Sequence, residues 1–202
     1  MCRSTNLALL VLALGALSGC QSHPLTDYRP LNQAGVWSSN IEELKKLNTS
    51  DAEVGEIVNL KQVGLSDDTC VALVKAAHNH HHAFASSASV RSLSGASFSD
   101  EEILQIARAD QLDVISGDAV TLRLIGLSDA TVQMLLQRKL QGTPTLSSGE
   151  IADLKNTGLT ESQIVQRIKD GMTDAQAEAE VTARKKASNQ TGFVRIHGRR
   201  PR

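Results

Sequence analysis

The sequence predicts an all-α protein made of short helical hairpins that recur about every 30 residues and pack as a bundle or short solenoid. Three observations carry this. A corner of glycine, leucine, hydroxyl and acid recurs as Gly64-Leu65-Ser66-Asp67, Gly126-Leu127-Ser128-Asp129 and Gly158-Leu159-Thr160-Glu161, with a degenerate copy at Ser97-Phe98-Ser99-Asp100. Anchored on Gly64, Ser97, Gly126 and Gly158, the steps are 33, 29 and 32 residues, the period of a repeat protein. Past each corner the apolar residues fall at helical spacing, as in Cys70, Val71, Val74 and in Ile164, Val165, Ile168.

The corner has a mechanical reading. Glycine ends a helix because the residue after the C-cap usually needs a left-handed backbone. The Ser or Thr two residues on caps the next helix. The Leu between them packs back on the first helix and staples onto the fourth residue of the second, which is Cys70, Val132 or Ile164; Phe98 would meet Ile103. Capping boxes are expected at Ser39/Glu42, Ser50/Glu53, Ser99/Glu102, Ser147/Glu150, Thr160/Gln163 and Thr173/Gln176. Helices of about 8 to 13 residues are marginal alone and must stack. Strand alternation is weak everywhere except at Phe193 to Ile196.

In chain order, residues 1–19 read as a secretory leader: Arg3, then the apolar run Leu7 to Leu17, then small residues. That run is too short for a permanent membrane span, which needs about 20 residues. Residues 20–38 are rich in Pro, Asn, Ser and Gly without a period and read as a flexible tether. Residues 39–171 hold the hairpin repeats, and residues 172–187 form a charged helix that pairs Glu180 with Arg184. Residues 188–202 are a basic, mobile tail.

The segment Leu17-Ser18-Gly19-Cys20 resembles the lipobox of bacterial lipoproteins. The resemblance implies cleavage before Cys20, thioether lipidation of its sulfur and an acylated N-terminus carrying palmitate-like chains, two or more of which anchor stably. It implies a membrane-anchored protein of the cell envelope. Because Gln21 rather than Asp follows the cysteine, the outer membrane is favoured where the cell has one. The repeat corner resembles the short helical-hairpin modules of the SHOCT type, which implies an interaction or oligomerisation role rather than an enzyme.

Composition narrows the chemistry. The five aromatics, Tyr28, Trp37, Phe84, Phe98 and Phe193, argue against a base-stacking surface or a large aromatic pocket. With Cys2 in the leader and Cys20 acylated, Cys70 is the one remaining thiol, in a core slot, so no internal disulfide forms. The local signatures of common hydrolases, nucleotide-binding loops and zinc proteases are absent. Acids at Asp110, Asp113 and Asp118 lack the alternation of a calcium loop and read as a solvated helix end.

Two features remain. In the run His78-Asn79-His80-His81-His82, a helix continuing from Asp67 would put His78, His81 and His82 on one face, where imidazoles can hold Zn, Ni or Cu. The same run can simply end a helix, where His suits the dipole, or sense pH. Residues 20–183 carry 13 Lys and Arg against 22 Asp and Glu, a net of −9, whereas from Arg184 on there are seven bases and no acid. Arg195, Arg199, Arg200 and Arg202 therefore suit an anionic lipid or cell-wall polymer, or only solubility; nucleic acid is not expected for an exported chain. The expected function is a lipid-anchored structural and protein-interaction module that meets another envelope protein or itself, with a metal-binding or metal-sensing lipoprotein using the His78–His82 cluster as the alternative.

Overall fold

Among the described residues, ten with left-handed backbone turn the chain: Gly35, Asn48, Gly64, His81, Ser97, Asp110, Gly126, Gly142, Gly158 and Gly171. The computed structural model describes residues 25–197, with side chains through 189. At every one of these turns the residue after the left-handed one donates its N–H back to the third helical residue from the end. Leu65 N–H to Leu60 O, Phe98 N–H to Leu93 O and His82 N–H to Ala77 O are examples. This is the Schellman geometry, which satisfies carbonyls that a helix end leaves open.

The turns separate α1 (Arg29–Gln33), α2 (Ser38–Lys46), α3 (Asp51–Gln62), α4 (Asp67–Asn79), α5 (Ser87–Gly95), α6 (Asp100–Arg108), α7 (Leu112–Leu124), α8 (Asp129–Leu140), α9 (Ser148–Asn156), α10 (Glu161–Lys169) and α11 (Asp174–His197). The fold among the described residues is therefore all-α. Each odd-numbered helix packs on the next odd one, from α1 through α11, and α2, α4 and α6 pack likewise. The result is a stack of hairpins in two rows. At the usual helix spacing of 8–10 Å, the odd row is about 45 Å long.

Leu65, Phe98, Leu127 and Leu159 are all buried at their corners, beside the buried Cys70, Ile103, Val132 and Ile164. The corner hydroxyls cap as expected: Ser66, Ser99, Ser128 and Thr160 each accept the N–H three residues on. The acid that follows has a use beyond the helix dipole. Asp67 accepts the Trp37 N–H at 2.8 Å, Asp100 accepts the Thr69 hydroxyl at 2.6 Å, and Glu161 accepts the Ser128 N–H at 3.1 Å. Each such carboxylate braces the corner one repeat earlier. Asp129 instead pairs with Arg123, which lies over the Phe98 ring at 4.4 Å and also bonds Glu102 at 3.0 Å. That cluster joins α6, α7 and α8 where the even row opens.

Several expectations change. The Ser39/Glu42 box does not form, because α2 starts two residues earlier with Trp37 as its N-cap. Ser147 caps α9, but Glu150 does not reciprocate. The expected tether at 20–38 is ordered from Thr26 onward: Leu31 and Val36 are buried, and the Thr26 hydroxyl donates to Thr49 O at 2.9 Å. A single helical turn with two buried residues is too short to leave a periodic signal. Phe193 to Ile196 is helical rather than extended, and the charged helix expected at 172–187 runs on to His197 through the segment read as a mobile tail. Ala177 and Val181 dock α11 on the stack, and Glu180 takes both Arg167 and Arg184.

Candidate functional site

The histidine run is a helix corner, not a helix face. α4 ends at Asn79, His80 is its C-cap and His81 adopts φ 63°. His tolerates that conformation better than most side chains, which is why the chain can turn here without glycine. The turn sends the rings to different partners. His78 Nε2 lies 2.7 Å from Glu53 Oε1, His80 Nε2 lies 3.0 Å from Arg108 O, and His82 Nε2 lies 2.8 Å from Asp110 Oδ1. His81 is exposed at the tip. The face of His78, His81 and His82 required for chelation is thus not built, and among the described residues no three His, Cys, Asp or Glu side chains converge on a metal position.

Glu53 is the fixed point of this corner. Its carboxylate is 3 % exposed and accepts four bonds, from the Ser50 N–H and hydroxyl, the Phe84 N–H and His78. Burial pushes its pKa up, but these donors outweigh burial and hold the carboxyl below its ordinary range. One carboxylate therefore ties the start of α3, the end of α4 and the α4–α5 loop.

A cleft of about 240 Å3 opens beside it, floored by Leu73, Ala77, Phe84 and Leu112, with His82, Asp110 and Asp113 on its rim. His82 donates from Nδ1 to Ala83 O at 3.0 Å and from Nε2 to Asp110. The Ala83 carbonyl, then the Asp110 carboxylate, raise its pKa, which favours the imidazolium. Ser86 and Ser89 both donate to Asp113, at 2.8 and 2.5 Å. Both His82 ring nitrogens are thus occupied, and the Ser86 hydroxyl is bonded to the Asp113 carboxylate. Cys70 lies in the core, where burial pushes its thiol up to about 12.

A second hollow, of about 470 Å3, lies at the first corner between α2 and α4, lined by Trp37, Ser39, Asn40, Lys61, Ser66 and Asp68. Trp37 is the one tryptophan in the chain and is 75 % exposed. It occupies the slot that Ser66, Ser99, Ser128 and Thr160 fill at the other corners, and no side chain caps α2. Beneath it, Asp67 joins the Trp37 N–H to Lys61, whose ammonium is 2.6 Å away. Burial raises the Asp67 pKa, but Lys61 and then the Trp37 N–H outweigh it and hold the carboxyl low. Sequence reading missed this site. Stepping one repeat back from Gly64 reaches Gly35-Val36-Trp37-Ser38, where a Trp in place of the capping hydroxyl was the available signal.

Cys20 and the arginines Arg199, Arg200 and Arg202 lie outside the described residues, and Arg195 sits on α11 beyond the described side chains. No described helix is long and apolar enough to cross a membrane. Comparison with known proteins gives no match: no family model, no curated protein and no solved structure is similar to this chain.

Proposed function

We propose that this protein is a lipid-anchored module of the cell envelope that holds a protein partner against its helical stack. The observation that carries the reading is on α7, in the middle of the odd row. Val114 is 70 % exposed and Leu124 76 % exposed, two of the four large apolar side chains, with Leu25 and Trp37, that stand in solvent among the described residues. Exposed aliphatic side chains on a packed helix offer a partner apolar area to bury. The anchor rests on Leu17-Ser18-Gly19-Cys20 and attaches the chain to the membrane through lipidated Cys20, the outer membrane being favoured where the cell has one because Gln21 rather than Asp follows. The partner is another envelope protein or a second copy, with the basic segment from Arg184 adding attraction to an anionic lipid or wall polymer.

Photo-crosslinking in cells from a residue placed beside Leu124 tests the surface. Capture of one defined envelope protein or of a second copy, lost when Val114 and Leu124 are both changed to Asp, supports it. Capture that survives both changes overturns it. Mass spectrometry of the native N-terminus tests the anchor separately: acyl chains on Cys20, absent after Cys20→Ala, support it, and an unmodified Cys20 overturns it.

A further inference from the structure

We infer that the first corner is a carbohydrate-binding site in which Trp37 stacks on a sugar ring of a neutral, hydroxyl-rich glycan. The proposal goes beyond the anchored-module reading and does not depend on it.

The case begins with a broken rule. Four of the five glycine-type corners end on a capping Ser or Thr, and the first ends on an uncapped Trp37. That exchange gives up a stabilising cap and places the largest side chain in solvent, where it adds nothing to the core. Departures of this kind, with no structural gain, mark functional positions.

The surroundings decide the ligand class. The hollow beneath the indole continues along α2 and α4 into a second one of about 330 Å3, the two sharing Ser39, Asn40 and Asp68. The groove therefore runs alongside the first turns of α2, long enough for more than one ring of a linear chain. Beyond the indole its walls offer hydroxyls, an amide and carboxylates. Asn40 Nδ2 donates to Asp68 Oδ1 at 2.8 Å and Asn40 Oδ1 accepts from the Ser39 hydroxyl at 3.1 Å, which orients all three side chains and leaves the second amide N–H and the other carboxylate oxygen for ligand hydroxyls. Its other charges are spent internally, Lys61 on Asp67 and Lys75 on Glu43.

A pyranose matches this set: one face is C–H and stacks on an indole, while its edge is a row of hydroxyls for amide and carboxylate partners. A protein hot spot would need apolar, charge-depleted surroundings around the Trp. An anionic bilayer would meet the Asp68 carboxylate beside the indole and be repelled.

Because Trp37 is the sole tryptophan, its emission reports the site directly. The protein purified from cells expressing the full chain is titrated with cellotetraose, maltotetraose and the tetramer of β-1,4-linked N-acetylglucosamine, and separately with phosphatidylglycerol vesicles. The expected result is a saturable blue shift with at least one tetrasaccharide, at least tenfold weaker with its monosaccharide, and no shift with vesicles. By calorimetry, Trp37→Ser weakens that binding at least tenfold, Asn40→Ala weakens it several-fold, and Trp37→Phe restores part of it. Trp37→Ser places the usual capping residue at this corner, and its melting curve shows that the loss is not unfolding. A shift with vesicles alone, no response to any of the three tetrasaccharides, or full binding by Trp37→Ser overturns the proposal.

Discussion

The two ends of the hairpins use the same backbone turn and differ in everything else. At one end the links α1–α2, α3–α4, α5–α6, α7–α8 and α9–α10 are each four residues long, with Gly or Ser97 left-handed and a buried apolar residue next. At the other end the links are four, seven, three, seven and four residues, and the left-handed residue is Asn48, His81, Asp110, Gly142 or Gly171. The residue after it is Thr49, His82, Gln111, Thr143 or Met172. There the plug arrives later, as Phe84, Leu112 or Leu146, all buried. The uniform end thus builds the stack, and the variable end collects polar loops, including the histidine corner. Rigidity and variation are divided between opposite edges of one molecule, and Trp37 stands out because it departs from the uniform edge.

Removing a plug from the uniform edge should do the most damage. Leu127→Ala is expected to lower the unfolding free energy by about 2 to 5 kcal/mol, since the site is packed between two helices. Urea denaturation reads this directly. On the variable edge the corresponding single point is Glu53. Glu53→Ala leaves the Phe84 N–H and the Ser50 N–H without their acceptor and should cost about 1 to 3 kcal/mol. If Glu53→Ala proves neutral, the variable edge is held by its plugs alone.

The backbone rule is tested by exchanging residues. Gly126→Val should cost about 1 to 3 kcal/mol from the left-handed backbone alone, because its Cβ would meet nothing closer than Lys155 Nζ at 3.6 Å. Ser97→Gly, at φ 64°, should raise stability by up to about 1 kcal/mol, and the urea midpoint should move without a change of slope. Smaller again is the cap: Trp37→Ser should stabilise by about 1 kcal/mol as α2 gains a side-chain acceptor.

The pH response probes the variable edge with the least energy. The His82 pKa is raised in the fold by the Ala83 carbonyl and Asp110, so its contribution is full at acidic pH, below the ordinary imidazole value, and fades as pH rises through the raised pKa. Glu53 runs the other way. Its pKa is lowered, so its contribution is full at neutral pH and is lost in acid, as pH falls through the lowered pKa. Melting temperature against pH should therefore lose its small decline above the ordinary imidazole pKa in His82→Asn, and part of its acid limb in Glu53→Gln.

The uniform edge was legible because each of its turns is made from neighbours in sequence. A left-handed residue, a plug and a hydroxyl cap lie within four positions, and Gly64, Gly126 and Gly158 announce them. The variable edge was not. Asn48, His81 and Asp110 turn the chain without glycine, so His78 to His82 read equally well as a helix face.

By itself the sequence determined the helical class, the repeat spacing, the buried corner residues and most of the caps, all of which follow from local backbone preference and side-chain periodicity. The tertiary structure decided where the histidines point, because their partners Glu53, Arg108 and Asp110 lie 25 to 28 residues away. It also decided that the corner acids brace the preceding repeat, 30 to 33 residues back, and that Trp37 stands exposed over a polar groove rather than inside the core. Those facts depend on which repeats lie side by side, and local preferences carry no information about contacts between chain segments a full repeat apart.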